Sequence, residues 1–324
     1  MKGILIKSAI VLGILAAVPQ LATAQQWPTR PIKAIVPFPA GGGTDLMGRL
    51  VAKHLGDRLG QQVYVENIGG ANGSIGTQAV MRAEPDGYTI GVISDGPMIV
   101  NPALYPNNAY VPLRDFAPVA MVNRFPSLLT AHPSTGIKTV ADLIRVAKEK
   151  PGTLNYSSGG IGNFSHMGLE LLAHQTGIKL THVPYRGIGP ATQAILTGEV
   201  QLLYNNVATS LEHVKAGKSN GLAIGEAKRL EGLSDMPTIG ETVPGYEFSA
   251  WIGLYVPAKT PPDIIAKITK ATAEFLQDPS VKKYFSEQFI TASYKNPDEL
   301  AAYVKTELTK WDDVVKKAGI KVQQ

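Results

Sequence analysis

The sequence predicts an α/β protein made of two lobes, and three observations support that fold class. Apolar strand segments alternate with helical segments along the chain, which is typical of sheets flanked by helices. The 324 residues are more than one hydrophobic core usually needs. Two stretches rich in Pro or Gly, over 112–126 and 233–246, separate two groups of strands. We therefore expect two crossovers between two lobes, which form a hinge and leave a cleft.

The first lobe is predicted from both ends of the sequence. Leu46, Leu50, Val51 and Leu55 recur at helical spacing after the first strand, so a helix is expected over 46–59. The other elements expected in this lobe are strands at 32–38, 63–67, 88–94, 117–123 and 249–256, and helices at 75–82, 262–277, 280–287 and 297–318.

The second lobe repeats the same order of strand, loop and helix over 128–225. Its strands are expected near 154, 181, 201 and 222, and the alternation predicts a mainly parallel sheet flanked by helices in each lobe. The expected division of the chain is a signal peptide at 1–24, a discontinuous first domain at 25–123 and 226–324, and a second domain at 124–225.

The first segment has the pattern of a secretory signal peptide. Lys2 and Lys7 form a short basic start, an apolar run follows over 9–21, and Ala-Thr-Ala at 22–24 supplies a small-residue cleavage site. The apolar run is too short for a permanent membrane helix. The sequence therefore predicts an exported chain that begins at Gln25 after cleavage.

Composition excludes several kinds of function. The chain has no cysteine, so thiol catalysis and disulfides are impossible. It carries 31 Lys and Arg against 26 Asp and Glu, and the excess without Lys2 and Lys7 is +3. This balance is too mild for nucleic-acid binding, and no basic cluster with interleaved aromatic residues occurs.

Three glycine-rich turns connect a strand to a helix. They read PAGGGTD at 39–45, SSGGIGN at 157–163 and RGIGP at 186–190. Such turns direct unpaired amides and the positive helix end toward one point, where an anion can bind. The alternative is that the glycines only permit tight turns. Three such turns together favour a cleft for a small anion.

Catalytic and metal-binding patterns are weak. The sequence contains no nucleophile elbow, P-loop or dinucleotide fingerprint, although a Ser-His-Asp set from distant positions stays open. His166, Glu170 and His174 share one helix face, but the first and last are about 12 Å apart, too far for one ion. We expect no cofactor, no metal and no enzyme activity, with an exported hydrolase as the minor alternative.

Five segments in order resemble the signature blocks of the Bug family. They read PFPAGGGTD at 37–45, DGYT at 86–89, NPALY at 101–105, VPYRG at 183–187 and WIGLYVPA at 251–258. Bug proteins are the periplasmic substrate-binding components of tripartite tricarboxylate transporters. The resemblance covers nearly the whole mature chain.

The resemblance implies a type II-like periplasmic binding protein that closes around a small carboxylate, such as a di- or tricarboxylate or an aromatic acid. It implies delivery to a membrane transporter, with signalling to a membrane sensor kinase as the alternative, and we expect a monomer. The ligand-binding residues it implies are Phe38, Ala40, Gly41, Gly42, Gly43, Thr44, Asp45, Ser94, Asp95, Ser157, Ser158, Asn163, Gly187, Gly189, Pro190, Ala191, Asn205 and Asn206.

Four side chains carry open alternatives. Asp45 is interpreted as a helix cap or as an acceptor for a ligand hydroxyl or ammonium. Arg186 is a clamp on a second carboxylate or an exposed or ion-paired residue. Trp251 either fills the core or lines the pocket. Asp95 departs from the uncharged residues common in the family at this position, so it either disfavours an anion or binds an amine or hydroxyl.

Overall fold

The computed structural model describes residues 27–105, 107–318 and 320. The predicted signal peptide and the cleavage before Gln25 lie outside these residues. Within the described part of the chain, no helix has the length and hydropathy needed to cross a membrane.

The described residues form strands and helices in alternation. The strands are β1 (Ile32–Val36), β2 (Val63–Asn67), β3 (Thr89–Ser94), β4 (Phe116–Phe125), β5 (Ser127–Ala131), β6 (Asn155–Ser158), β7 (Thr181–Pro184), β8 (Leu202–Asn206), β9 (Asn220–Ile224), β10 (Ala250–Pro257) and β11 (Thr291–Lys295). The helices are α1 (Gly43–Leu59), α2 (Ser74–Met81), α3 (Asn101–Leu104), α4 (Pro112–Asp115), α5 (Val140–Glu149), α6 (Phe164–Thr176), α7 (Ile188–Leu196), α8 (Val207–Lys215), α9 (Pro262–Leu276), α10 (Pro279–Glu287) and α11 (Pro297–Ala318).

The first sheet has six strands in the order β11-β4-β10-β3-β1-β2. Strand β1 pairs in parallel with β2 and β3, whereas β10 is antiparallel to both β3 and β4. Strand β1 ends at Val36, two residues before the predicted end, since Pro37 and Pro39 cannot donate ladder hydrogen bonds. The edge strand β11 was not predicted, because most of its residues are exposed and the segment carries no clear apolar alternation.

The second sheet has five strands in the order β7-β6-β8-β5-β9. Strand β6 is parallel to β7 and β8, and β5 is antiparallel to β8 and β9. The two-lobed α/β class is confirmed. Both sheets are mixed rather than mainly parallel, because the strand by which the chain enters each lobe from the other, β10 in the first sheet and β5 in the second, runs against the βαβ units.

The chain passes between the sheets twice, and the two passages lie side by side. The first is Pro126, between β4 and β5, and the second runs from 225 to 249 between β9 and β10. The Gly225 amide donates to Ser127 O at 2.8 Å, and the Phe248 amide donates to Gly225 O at 2.9 Å. Arg124 adds a contact of 2.6 Å to Glu247. These bonds fasten the two crossing segments to each other.

One hydrophobic core extends through both lobes. It includes Met98 behind the first sheet, Tyr156 in the second sheet, and Trp311 on α11. A separate core packs α1 and α9 against the other face of the first sheet, with Val51 and Phe275 fully buried. Because burial of each such side chain contributes roughly 1.5–3 kcal/mol, these two cores give the strand ends a rigid support.

Candidate functional site

A cavity of about 610 Å³ lies between the lobes. Its walls come from strand ends and helix starts of both sheets, together with the end of α10. The lining includes Phe38, Pro39, Ala40, Gly41, Gly42, Gly43, Thr44, Leu46, Met47, Asn72, Ser94, Asp95, Gly96, Phe125, Pro126, Asn163, Phe164, Gly187, Ile188, Asn205, Asn206, Ala208, Thr209, Ala250, Trp251, Ile252, Tyr284, Gln288, Phe289 and Ile290.

The first glycine turn presents free amides to this cavity. Gly42 is the N-cap of α1 and supplies no side-chain cap, so the first helical amides lack the partner that a polar cap provides. Gly41 has φ +87°, a conformation that L side chains rarely adopt. The turn therefore places the positive end of a 17-residue helix at the cavity wall.

Close packing of α1 on its own strand sets the position of the turn. A Cβ on Gly48 would lie 2.5 Å from Val36 Cγ2, so only glycine lets the helix approach β1 this closely. A Cβ on Gly42, in contrast, would have Pro39 O at 3.9 Å as its nearest neighbour. Glycine is thus needed at 48 for packing, whereas at 42 it leaves open space beside the amides.

Asp45 supports the turn from behind and does not line the cavity. Its Oδ2 accepts from the Gly41 amide at 2.9 Å and from Arg49 Nε at 3.0 Å, and its Oδ1 accepts from Asn67 Nδ2 at 2.9 Å. Burial opposes the charge, but these hydrogen bonds keep the carboxyl pKa below its usual value. Asp45 is neither the N-cap of α1 nor a residue of the cavity lining. It is 2% exposed, lies within α1, and accepts a hydrogen bond from the Gly41 amide, one residue before the N-cap.

The second and third glycine turns reach the cavity at their helix starts. Asn163 and Phe164 bring the second turn to the wall, and Gly187 and Ile188 bring the third. Gly187 is the N-cap of α7, has φ +107°, and offers no side-chain cap. Each of the three turns therefore contributes residues to one cavity.

Five of the predicted ligand-binding residues in these turns lie outside the cavity lining. Ser157 is fully buried and donates to Ala191 O at 2.8 Å. Ser158 Oγ lies 2.6 Å from His182 Nε2. The other three, Gly189, Pro190 and Ala191, belong to α7 beyond its first residue. Gly189 and Pro190 are exposed, and Ala191 is fully buried. The sequence pattern could not specify which residues of the helix start face the cavity.

Two adjacent amides extend the wall of the second lobe. The main-chain amide of Asn206 donates to Asn205 Oδ1 at 2.8 Å. The side-chain nitrogen Nδ2 of Asn205 lies 3.5 Å from Thr192 Oγ1. Asn206 Oδ1 is buried without a hydrogen-bond partner within the described residues. Both residues were predicted in the ligand set, both end strand β8, and both line the cavity.

Asn72 joins the two lobes at the cavity, and the sequence reasoning did not include it. Its Nδ2 donates to Asn101 Oδ1 at 2.9 Å in the first lobe and to Gly162 O at 3.1 Å in the second. Its φ is +47°, within the run GGANG at 69–73. That run is a fourth glycine-rich turn between a strand and a helix, so the signal was present in the sequence.

Aromatic side chains from distant segments complete the lining and were also missed. Phe125 is the last residue of β4, Phe164 begins α6, and Tyr284 and Phe289 come from the α10 region. Trp251 lines the cavity but is only 2% exposed and packs edge-on against Tyr303 with ring centroids 5.7 Å apart. It therefore belongs to the core and the wall at once.

The described lining contains no Lys, Arg or His, and its acidic residue is Asp95. Arg186 is exposed and lies outside the lining. Burial raises the pKa of the Asp95 carboxyl to about 7, against the opposing effect of the Trp251 main-chain amide. The described lining therefore offers an anion main-chain amides and helix ends but no cationic side chain.

His166 and His182 lie in the interior of the second lobe. His166 stacks on His182 with ring centroids 4.0 Å apart, and its Nδ1 accepts from the Gly162 amide at 3.2 Å. Burial lowers the pKa of His166 to about 3 and that of His182 to about 4, so both rings are neutral at neutral pH. No group of three His, Cys, Asp or Glu within the described ranges is arranged to hold a metal ion.

A cavity between two hinged lobes, walled by free amides, defines a solute-binding protein. Residues 47–320 match the family described as "Tripartite tricarboxylate transporter family receptor", TctC. The chain belongs to this family, and the Bug resemblance is confirmed. It is 35% identical over 318 residues to the Protein BugT of Bordetella pertussis, with 97% of this chain and 98% of that protein covered.

Solved structures show the same fold. An R. palustris protein solved with adipate is 35% identical with a TM-score of 0.82, and the match covers 91% of this chain and 99% of that one. MatC from Rhodopseudomonas palustris with bound malate is 32% identical with a TM-score of 0.78, covering 89% and 99%. The family and fold are those of periplasmic substrate-binding proteins rather than of enzymes.

Proposed function

We propose that this protein captures a small carboxylate in the cavity between its lobes and delivers it to the membrane subunits of a tripartite transporter. The observation that carries the proposal is the uncapped start of α1 beside the cavity. A carboxylate that accepts two or three amide hydrogen bonds gains more from each than a neutral acceptor does. The related proteins solved with adipate and malate support this ligand class.

Closure of the two lobes is the working step of the proposal. A ligand that contacts both walls favours the closed state by the difference in its affinity for the two states. Asn72, which reaches Gly162 O across the lobes, supports a closed arrangement. We propose that the second domain spans residues 124–225. We also propose that the chain is cleaved before Gln25 and acts in the periplasm as a monomer.

The test is substitution of Gly42. With φ −83° and open space around its Cβ position, Gly42→Val is compatible with the fold, yet its side chain takes the space of the anion. Carboxylate affinity should fall by about 100-fold or more, equivalent to about 2.7 kcal/mol. The measurement is calorimetry with malate, adipate, citrate and benzoate, with small-angle scattering to detect compaction.

Gly189→Val is the matched control. Gly189 also lies in the first turn of a helix and has nothing within 4 Å of its Cβ position, but it does not line the cavity. This variant should bind like the unmodified protein. If Gly42→Val retains its affinity, or if no carboxylate binds the unmodified protein, the proposed function is wrong. If only Gly189→Val loses binding, the anion site lies at the third turn.

A further inference from the structure

Asp95 lies in the cavity wall without a positively charged partner. Asp95 directly follows β3 and is only 5% exposed. Its Oδ1 accepts from the Trp251 amide at 3.4 Å, a long hydrogen bond. Within the described residues, no Lys, Arg or His forms an ion pair with Asp95.

A structural role does not account for this carboxyl group. Asp95 precedes the helical turn Gly96–Val100, but its side chain forms no cap hydrogen bond there. Burial of an unpaired carboxylate is costly, and the raised pKa of about 7 expresses that cost. The fold therefore holds a group in the wall that lacks the counterion a buried carboxylate normally has.

The charged neighbours of Asp95 do not supply the missing counterion. Glu307 on α11 raises its pKa further, and the neighbouring Tyr303 is a phenol. The guanidinium of Arg124, which also lies near Tyr303, is already held by Glu247 at 2.6 Å and Glu226 at 3.5 Å. Asp95 lines the cavity, so a ligand bound there is the remaining source of a donor.

Asp95 and the first glycine turn emerge at the same edge of the first sheet. They follow β3 and β1, which are neighbouring parallel strands with Lys33 opposite Thr89. Neighbouring strands lie about 4.8 Å apart. A ligand whose carboxylate and second polar group are a few bonds apart can therefore contact the amides of the turn and Asp95 together.

Resting on the carboxylate-binding function proposed above, we propose that the ligand is an amino carboxylate whose ammonium group donates to Asp95. Its carboxylate then binds the amides of the first turn. The ammonium neutralises the one carboxylate of the described lining, whereas a second ligand carboxylate near Asp95 would meet no cation. Phe125, Phe164 and Phe289 provide an apolar wall for the ligand's side chain.

The experiment compares carboxylates that differ only at one carbon. Calorimetry at pH 8 is performed with succinate, malate and aspartate; with 4-methylpentanoate, its 2-hydroxy derivative and leucine; and with 3-phenylpropanoate, 3-phenyllactate and phenylalanine. In at least one set the amino member should bind about 10-fold or more tightly than the unsubstituted acid, as expected for a hydrogen bond between charged groups. In Asp95→Asn this ratio should fall to about 1.

The pH dependence gives a second measurement that needs no variant. Below the Asp95 pKa of about 7 the carboxyl group is protonated, so the preference for the amino member should shrink between pH 8 and pH 5.5. The measurement uses the leucine and phenylalanine sets, in which neither the ammonium nor the carboxylate titrates in this range; the succinate set is left out because the second carboxyl group of succinate does. Circular dichroism and the melting temperature check that Asp95→Asn is folded.

The outcomes separate this inference from the proposed function. If carboxylates bind but the amino member has no advantage, or the hydroxy member binds more tightly than it, the assignment to Asp95 is wrong and the carboxylate function stands. If Asp95→Asn keeps the full preference for the amino member, the ammonium lies elsewhere and the assignment is also wrong. If none of these acids, nor adipate, binds, the proposed function itself fails.

Discussion

The first and second glycine turns look alike in sequence and differ in what their helix ends do. In the first, the N-cap is Gly42 and no side chain caps α1. In the second, Asn163 caps α6 by accepting from the Ser165 amide at 3.1 Å, and Ser165 Oγ accepts from the Gly159 amide at 3.0 Å. One turn keeps its amides free, whereas the other satisfies them internally.

This difference indicates that the identity of the N-cap residue decides whether a helix start can bind an anion. The number of glycines in the turn matters less. A polar N-cap occupies the amides that an anion would use. The third turn follows the first in this respect, since Gly187 also leaves α7 without a side-chain cap. Two of the three helix starts are therefore open to a ligand, and the second mainly shapes the wall.

Among the variants that test this comparison, the largest effect is expected from converting the first turn into the second. Gly42→Asn places a capping side chain at the start of α1, where it competes with the anion for the same amides. Carboxylate affinity should fall by about 30-fold or more, equivalent to about 2 kcal/mol, while the free energy of unfolding changes by only a few tenths of a kcal/mol. Calorimetry and urea unfolding measure the two quantities. Unchanged affinity would contradict the role given to the uncapped amides.

A second prediction removes the support behind the first turn. Asp45→Ala leaves the amide of Gly41 and the side chains of Arg49 and Asn67 without their shared acceptor. The free energy of unfolding should fall by about 2 kcal/mol, and affinity should fall with it because the turn loses its position. Asp57→Ala, at an exposed position of the same helix, is the control and should change neither quantity.

The pH dependence of the Asp45 contribution follows from its lowered pKa. The native carboxyl holds its proton less tightly than the unfolded one, whose pKa is near 3.8. Its stabilisation is therefore fully present above about pH 4 and is lost as the pH falls through the native pKa. The stability gap between the unmodified protein and Asp45→Ala should be constant from pH 5 to 8 and shrink in acid. A gap that widens in acid would contradict the assignment.

The smallest effect is expected at the second turn. Ser165 is fully buried and does not line the cavity. In Ser165→Ala the Gly159 amide loses its acceptor, so the free energy of unfolding should fall by about 1 kcal/mol. Carboxylate affinity should stay within about threefold of the unmodified protein. A loss of affinity as large as that of Gly42→Asn would show that the second turn binds the ligand directly.

Local sequence signals were sufficient for most elements of the fold. Helical spacing predicted α1, and the helix predicted over 297–318 has the bounds observed for α11. Strand β11 and the mixed pairing of both sheets were not predicted, because an edge strand carries a weak pattern and strand direction depends on which distant strand lies beside it.

The candidate site divides in the same way. Residues that belong to the turns, such as Gly42 and Gly187, could be predicted because a glycine turn before a helix has a local physical meaning. Tyr284 and Phe289 could not, since their place in the wall depends on where α10 packs, far from β1 in sequence. Ser157 was predicted in the ligand set, yet its hydroxyl faces Ala191 O inside the lobe.

The sequence by itself determined the two-lobed α/β class, the family and the three turns, because backbone conformation and strand or helix propensity are properties of short segments. Tertiary structure alone decided which turns have free amides at the cavity, which aromatic side chains line it, and that Asp95 lies there with no counterion among the described residues. These properties depend on the packing of segments remote in the chain, since burial, hydrogen-bond partners and electrostatic environment exist only once those segments meet.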